Sequence, residues 1–288
     1  MSEPVSIQWF PGHMAKTRRL MTESLPLIDG VAEIIDARIP ISSRNPDLDA
    51  IIKDKPRIIL MNKADIADPD ANKKWTAFFK EQGTEALLVD CKTGKGLSGF
   101  SDRVKAVMGD RLEKFREKGM TGRTLRLMVV GIPNVGKSSF INRMAGNNKA
   151  KVADRPGVTR GNQWFSMGKG IELMDTAGVL WPKFDDLTVG ERLAFTGAVK
   201  DVVTDTEQLA MRLLELMNRH HAKNLFERYK INLPEDAKGY ELLEAVGRKR
   251  GMLISGGEID TERASVMVLD EFRGGKLGRI TLEFPEDL

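Results

Sequence analysis

Apolar residues in the first two-thirds of the chain fall in short unbroken runs, whereas in the last third they recur every three or four positions. The runs at 31–36, 57–61, 86–89 and 125–130, each bounded by turn residues, predict buried strands. Two further runs, 163–167 and 171–174, are joined by Gly168-Lys169-Gly170 and predict a hairpin. Helical patterns occupy 72–82 and 102–118, and a helix is expected over 15–25 after Ile7-Gln8-Trp9-Phe10-Pro11-Gly12-His13-Met14. Trp9 and Phe10 are costly to leave in water, so that segment is expected to dock on the globular body. Strands alternating with helices predict an α/β fold with a doubly wound, mostly parallel six-stranded sheet. From about residue 187 the spacing of Leu209, Leu213, Leu214, Leu216 and Met217, and of Leu242, Leu243 and Val246, predicts a smaller all-α domain. The expected division is 1–183 and 184–288.

The loop after the fourth run carries the clearest chemistry. Gly131-Ile132-Pro133-Asn134-Val135-Gly136-Lys137-Ser138 places Gly, four residues, then Gly-Lys-Ser between a strand and a helix, which is the context a phosphate-binding P-loop requires. Backbone amides at a helix N-terminus cradle phosphate oxygens. Lys137 supplies positive charge to the β- and γ-phosphates and the Ser138 hydroxyl is placed for magnesium. Asn134, Val135, Gly136 and Ser139 complete the expected contacts. The base is read from Asn62-Lys63-Ala64-Asp65, at the end of the second run. An Asp65 carboxylate can accept from the ring N–H and the exocyclic amine of guanine together, the Lys63 stem can lie across the base, and Asn62 can brace the loop. The segment Asp90-Cys91-Lys92-Thr93-Gly94 can offer the Cys91 amide to the guanine carbonyl. Thr159 is the candidate magnesium and γ-phosphate sensor. In Asp175-Thr176-Ala177-Gly178, Asp175 can hold magnesium through water and the Gly178 amide can report the γ-phosphate.

Charge and composition narrow the picture further. Net charge is +4, but residues 101–170 carry 15 Lys plus Arg against 5 Asp plus Glu, a local +10 that leaves the rest at −6. That asymmetry suits a polyanion-facing surface, and a solvated helix face accounts equally for 102–118. Absence of a long apolar run or an apolar signal core predicts no membrane association and a cytoplasmic location. The single Cys91 excludes an intrachain disulfide and a multi-cysteine zinc site. His220 and His221 read as surface residues without a metal.

The base loop precedes the phosphate loop, the reverse of ordinary small GTPases. A sheet cut and rejoined in this way should keep its spatial order, expected as 163–167, 171–174, 125–130, 31–36, 57–61, 86–89, with nucleotide between the third and fourth strands. With Trp-Phe-Pro-Gly-His-Met-Ala-Lys near the start, Asp-Ala-Arg-Ile-Pro, Ser-Arg-Asn-Pro and all the nucleotide motifs in this order, the chain resembles the circularly permuted GTPases of ribosome assembly. The resemblance implies GTP/GDP and Mg2+ as cofactors. It implies a large ribosomal subunit precursor, ribosomal RNA and ribosomal proteins as partners of a monomer. An RNA-binding scaffold with a slowly hydrolysed structural nucleotide is the alternative. Val179 stands where Ras-like enzymes place the water-orienting glutamine. Two readings stand for His13: it orients the water, as the resemblance implies, or it caps the N-terminal turn. Two also stand for Asn134, as a K+ ligand by the same resemblance or as a shaper of the loop. Arg248-Lys249-Arg250 and Arg273, Lys276 and Arg279 are candidate RNA contacts or solvated helix ends.

Overall fold

A computed structural model of the chain describes residues 14–52, 55–120, 122–146, 163–176, 178, 186–199 and 205–288, with the side chains of 14–17 excepted. The chain divides into two compact units. Among the described residues one holds 14–178 together with Glu283–Leu288, and the other holds 186–282.

The first unit follows α1 (Met14–Ser24), β1 (Gly30–Asp36), α2 (Asp47–Ile52), β2 (Arg57–Asn62), α3 (Pro69–Glu81), β3 (Glu85–Leu88), α4 (Phe100–Val107), α5 (Gly109–Glu117), β4 (Leu125–Val130), α6 (Lys137–Ala145), β5 (Gln163–Ser166) and β6 (Ile171–Asp175). The strands form one sheet in the order β3-β2-β1-β4-β6-β5, parallel except for the β5–β6 hairpin. This is the spatial order expected from the sequence, read from the opposite edge. Every residue of β1 is buried, and β2 and β4 are nearly so, because a parallel sheet is covered on both faces.

Val31, Glu33 and Ile35 share one face by strand alternation. Val31 belongs to a cluster with Met128, Val130, Trp164, Met174 and Ile52, and Ile35 to another with Ile59, Met61, Trp75 and Phe79. Between them the buried Glu33 carboxylate is paired with Arg44 at 3.2 Å and Arg57 at 3.1 Å. A charge can stay on that face because two guanidinium groups pair with it.

The structure departs from the pattern reading at two helices. Residues 102–118 are two helices, α4 and α5, broken at Met108. Met108 is buried, and a Cβ on Gly30 would meet its methyl, so the break lets Met108 fill the space left by that glycine while α5 stays without buried residues. The short α2 falls in a stretch, 47–52, for which the pattern predicts no element. Its start is fixed by Asn45, whose side chain accepts from the Asp47 amide at 2.9 Å, a turn device that hydrophobic periodicity does not register.

The second unit contains α7 (Leu187–Phe195), α8 (Thr206–His220), α9 (Ala222–Tyr229), α10 (Gly239–Lys249) and α11 (Thr261–Arg273). Leu209, Leu213, Leu214, Met217, Leu242, Leu243 and Val246 are buried in it. Arg212, buried, binds Glu191 at 2.9 Å and Glu215 at 3.0 Å. His221 is half-buried rather than a surface residue, its Nε2 lying 3.2 Å from the Thr281 carbonyl. Arg273 donates to the carbonyls of Phe195 and Ala194 at the end of α7, so it serves the fold.

After 282 the chain returns to the sheet unit. The Trp75 indole N–H donates to the Glu283 carbonyl at 2.9 Å, Phe284 packs on the Ile35–Trp75 cluster, and Lys74 pairs with Glu286.

Candidate functional site

The parallel strands deliver their chemistry at their carboxyl ends. β1 ends at Asp36, β2 at Asn62, β4 at the phosphate loop and β6 at Asp175. The order of connections reverses between β4 and β1, and that is where an open α/β sheet leaves a crevice for ligand.

One cleft of about 460 Å³ is lined by Pro133, Asn134, Lys137, Ser138, Gln163, Asp175, Thr176 and Gly178. Lys137, buried, donates from Nζ to the Gly131 carbonyl at 3.0 Å and the Ile132 carbonyl at 2.9 Å. Burial pushes its ammonium down to about 8, against the opposing pull of Asp175. Burial pushes the Asp175 carboxyl up, opposed by Lys137 and the Thr176 amide. Each charge is thus desolvated beside its opposite, an arrangement that a strongly anionic ligand and a hard cation would relieve together. Gly178 lies against Lys137: a Cβ there would stand 2.8 Å from Nζ and 2.9 Å from the Pro133 nitrogen. Only glycine lets that backbone approach the phosphate loop. Asn134 holds φ 57°, in the left-handed region, at the rim of the same cleft.

Asn62 joins the loops. Its Nδ2 donates to the Val135 carbonyl at 2.7 Å and its Oδ1 accepts from the Cys91 amide at 2.8 Å, so one buried side chain ties the base loop to the phosphate loop. Gly136 has φ 110°, and a Cβ on it would lie 2.2 Å from Asn62 Nδ2. The Cys91 amide was expected to be offered to the guanine carbonyl. It is donated to Asn62 instead, because the Asn62 side chain, at the end of β2, lies within reach of it. Asp90 shapes the turn, accepting from the Lys92 amide at 2.8 Å and from the Thr93 amide and hydroxyl. Burial, reinforced by the charge of Asp90, pushes the Cys91 thiol up to about 12. Lys92 and Ser139 line a second cleft with Cys91, Asn142, Arg143 and Gly146, and Arg143 donates to the Lys92 carbonyl.

Lys63 has φ 62° and donates from Nζ to Asp36 Oδ2 at 2.8 Å, while Asp65 presents an exposed carboxylate two residues on. Asp36, Arg38, Gln163 and Arg143 were not expected at the site from sequence. Asp36 and Arg38 lay in the Asp-Ala-Arg-Ile-Pro stretch, which carried resemblance without a chemical reading, and Gln163 read only as a strand start. His13, Thr159 and Val179 lie outside the described residues.

A glycine-rich phosphate loop between a strand and a helix, bolted through an asparagine to an Asn-Lys-x-Asp loop on a mostly parallel sheet, defines a P-loop GTPase. Residues 126–232 match a family model described as 50S ribosome-binding GTPase. The chain is 50% identical over 282 residues to ribosome biogenesis GTPase A of Bacillus cereus, covering 98% of this chain and 95% of that one. It is 33% identical to the Thermotoga maritima protein of that name, over 98% and 96% of the two chains. Among solved structures, a GDP-bound YlqF superposes with a TM-score of 0.69 at 28% identity, covering 93% of this chain and 99% of that one. The GNP-bound YlqF from T. maritima gives 0.65, also at 28% identity, over 95% and 100%. The chain belongs to the ribosome biogenesis GTPase A family, and guanine nucleotide binding goes with that membership.

Proposed function

We propose that this GTPase hydrolyses GTP as a switch in assembly of the large ribosomal subunit, slowly alone and faster on the subunit precursor. The observation that carries the nucleotide chemistry is the Asn62 bridge, which fixes the base loop and the phosphate loop as one site. The subunit assignment rests on the description of the family model and on the names of relatives that match nearly the whole chain. On this reading Lys63 and Asp65 take guanine, with Asn62, Asp90, Cys91 and Lys92 forming the base loops. Asn134, Val135, Gly136, Lys137, Ser138 and Ser139 take the phosphates, with the Gly178 amide beside the last of them. Base loops placed before the phosphate loop make this a circularly permuted GTPase.

The donor set suits Mg2+. Asp175 brings one hard carboxylate into the cleft beside the Ser138 hydroxyl, and magnesium in such sites takes one or two protein oxygens, the phosphates and water. Ser138 and Asp175, with Thr159, are the proposed ligands, and the ion would neutralise phosphate charge. Asn134 is the proposed ligand of a K+ ion, with loop shaping as its other role; replacing potassium by sodium slows hydrolysis only in the first case. His13 is the proposed group that orients water in place of Val179. His13→Ala should lose partner-stimulated turnover while keeping GTP affinity, and unchanged turnover removes the role.

No helix among the described residues is long and apolar enough to cross a membrane, and we place the protein in the cytoplasm, as a monomer, on ribosomal RNA and ribosomal proteins. In the helical unit, which ends at 282 and not at 288 as expected because Glu283–Leu288 belong to the sheet unit, Arg248, Lys249, Arg250, Lys276 and Arg279 are the proposed RNA contacts. The scaffold reading is favoured by Val179 alone. Stimulation of GTP hydrolysis by isolated large subunits, with small subunits inert, supports the switch; equal, unstimulated turnover with both supports the scaffold.

A further inference from the structure

Lys63, the lysine proposed to face the base, is held by a network that reaches the last residues of the sequence. Asp36 Oδ2 accepts from Lys63 Nζ at 2.8 Å and from Arg38 Nη2 at 2.8 Å, while Oδ1 accepts from Arg38 Nε at 2.9 Å and from the Arg38 amide at 3.1 Å. Asp36 and Arg38 are each 1% exposed. Burial alone would raise the Asp36 carboxyl, but the charges and hydrogen bonds of Arg38 and Lys63 outweigh it and hold it well below the usual carboxylate range. The carboxylate is therefore a fixed charge, and a four-carbon stem tied at its ammonium end loses most of its rotamer freedom.

The loop that supplies Arg38 is itself wrapped around Asp36. The Ile39 amide donates to the Asp36 carbonyl at 3.0 Å, and the Ser43 hydroxyl accepts from the Asp36 amide at 2.9 Å. The Ser43 amide closes the loop on the Ile39 carbonyl at 2.9 Å. The tip of this loop is held by a residue some 240 positions away. Buried Glu283 accepts from the Ile41 amide at 2.7 Å, from the Ser42 amide at 3.2 Å and from the Ser42 hydroxyl. Charge-assisted bonds from backbone amides to a buried carboxylate are among the stronger local restraints available to a loop. The Trp75 indole and the packing of Phe284 keep Glu283 in place.

We propose that Glu283 is a positioning residue for guanine nucleotide: through the loop of residues 37–43 and the Asp36–Arg38 pair it fixes Lys63, and so sets how fast nucleotide leaves. This rests on the reading that Lys63 and Asp65 hold guanine. It also gives the tail a function. The chain leaves the helical unit at 282 and is anchored on the base-binding side at the next residue, so detachment of the tail loosens nucleotide retention.

The test is a double-mutant cycle on the full chain, read as the dissociation rate of a fluorescent GDP analogue well below the unfolding temperature. Glu283→Ala is expected to speed release about tenfold, a change within the range of coupling between residues of one hydrogen-bond network. In a Lys63→Ala background Glu283→Ala should add little, because its effect passes through that lysine. A purely structural role gives additive effects, and additivity, or an unchanged rate in Glu283→Ala, overturns the proposal. Glu283→Gln keeps one acceptor oxygen for the Ile41 amide, should fall between the two, and carries the same cycle if Glu283→Ala does not fold. Asp65→Ala separates the two readings. If it weakens GDP binding while the cycle shows no coupling, only the role of Glu283 fails; if GDP binding is unchanged, the base reading fails and takes this proposal with it.

Discussion

Asn62→Ala removes a side chain that spans the two nucleotide loops. Two hydrogen bonds go, at 2.7 and 2.8 Å, and each leaves a buried backbone partner, the Val135 carbonyl and the Cys91 amide, without that contact. Leaving a buried group unsatisfied costs about 1–3 kcal/mol apiece, and water entering the small space recovers part of it, so the net loss is about 2–4 kcal/mol. For a unit of this size that lowers Tm by roughly 5–15 °C. Asn62→Asp should be at least as damaging, because it keeps the acceptor for Cys91 but sets a carboxylate oxygen against the Val135 carbonyl. The assay is thermal unfolding in parallel with titration of a fluorescent GDP analogue. Both variants should also bind GDP about tenfold or more weakly, since the spacing of base and phosphate loops is no longer held. A Tm within about 2 °C of the parent and an unchanged Kd in Asn62→Ala would refute the bridge as the organising contact.

Gly136→Ala must accept φ 110° and a Cβ 2.2 Å from Asn62 Nδ2, so GDP affinity should fall about tenfold or more, measured by calorimetry. Lys137 gives a pH dependence whose sign follows from its lowered value. Between about 8 and the ordinary 10.5 the unfolded chain binds a proton that the folded chain has lost, so stability rises with pH in that window. Relative to Lys137→Met, urea melts without nucleotide should show a gain of about 2 kcal/mol between roughly pH 7.5 and 9.5, flattened when GDP holds the ammonium charged. Cys91 is buried with its thiol pushed up to about 12, so a thiol reagent at neutral pH should label it only after unfolding, followed by absorbance during a denaturant titration.

The sheet was legible because each buried parallel strand is a short apolar run, and the GTPase family was legible because the motifs of Gly131 to Ser138 and Asn62 to Asp65 each lie within a few contiguous residues. Less was legible wherever the partner is remote. The break at Met108 depends on a gap over Gly30, the commitment of Arg273 depends on carbonyls at the end of α7, and the Cys91 amide was assigned to guanine because Asn62 was not visible as its neighbour. Glu283 reads as one acidic residue among several near the terminus, yet it is buried on the loop of Ile41 and Ser42.

By itself the sequence determined the class of ligand, the strand order and the presence of a helical second unit, since local periodicity and contiguous motifs encode all three. Tertiary structure decided which hydrogen bonds make those motifs one site. It placed Asn62 between two loops, Asp36 between Arg38 and Lys63, and the last residues of the chain on the sheet unit. Those choices follow from three-dimensional proximity: a buried polar group takes whichever partner the packed sheet brings within reach, and residues far apart in sequence meet only when the parallel strands have been assembled.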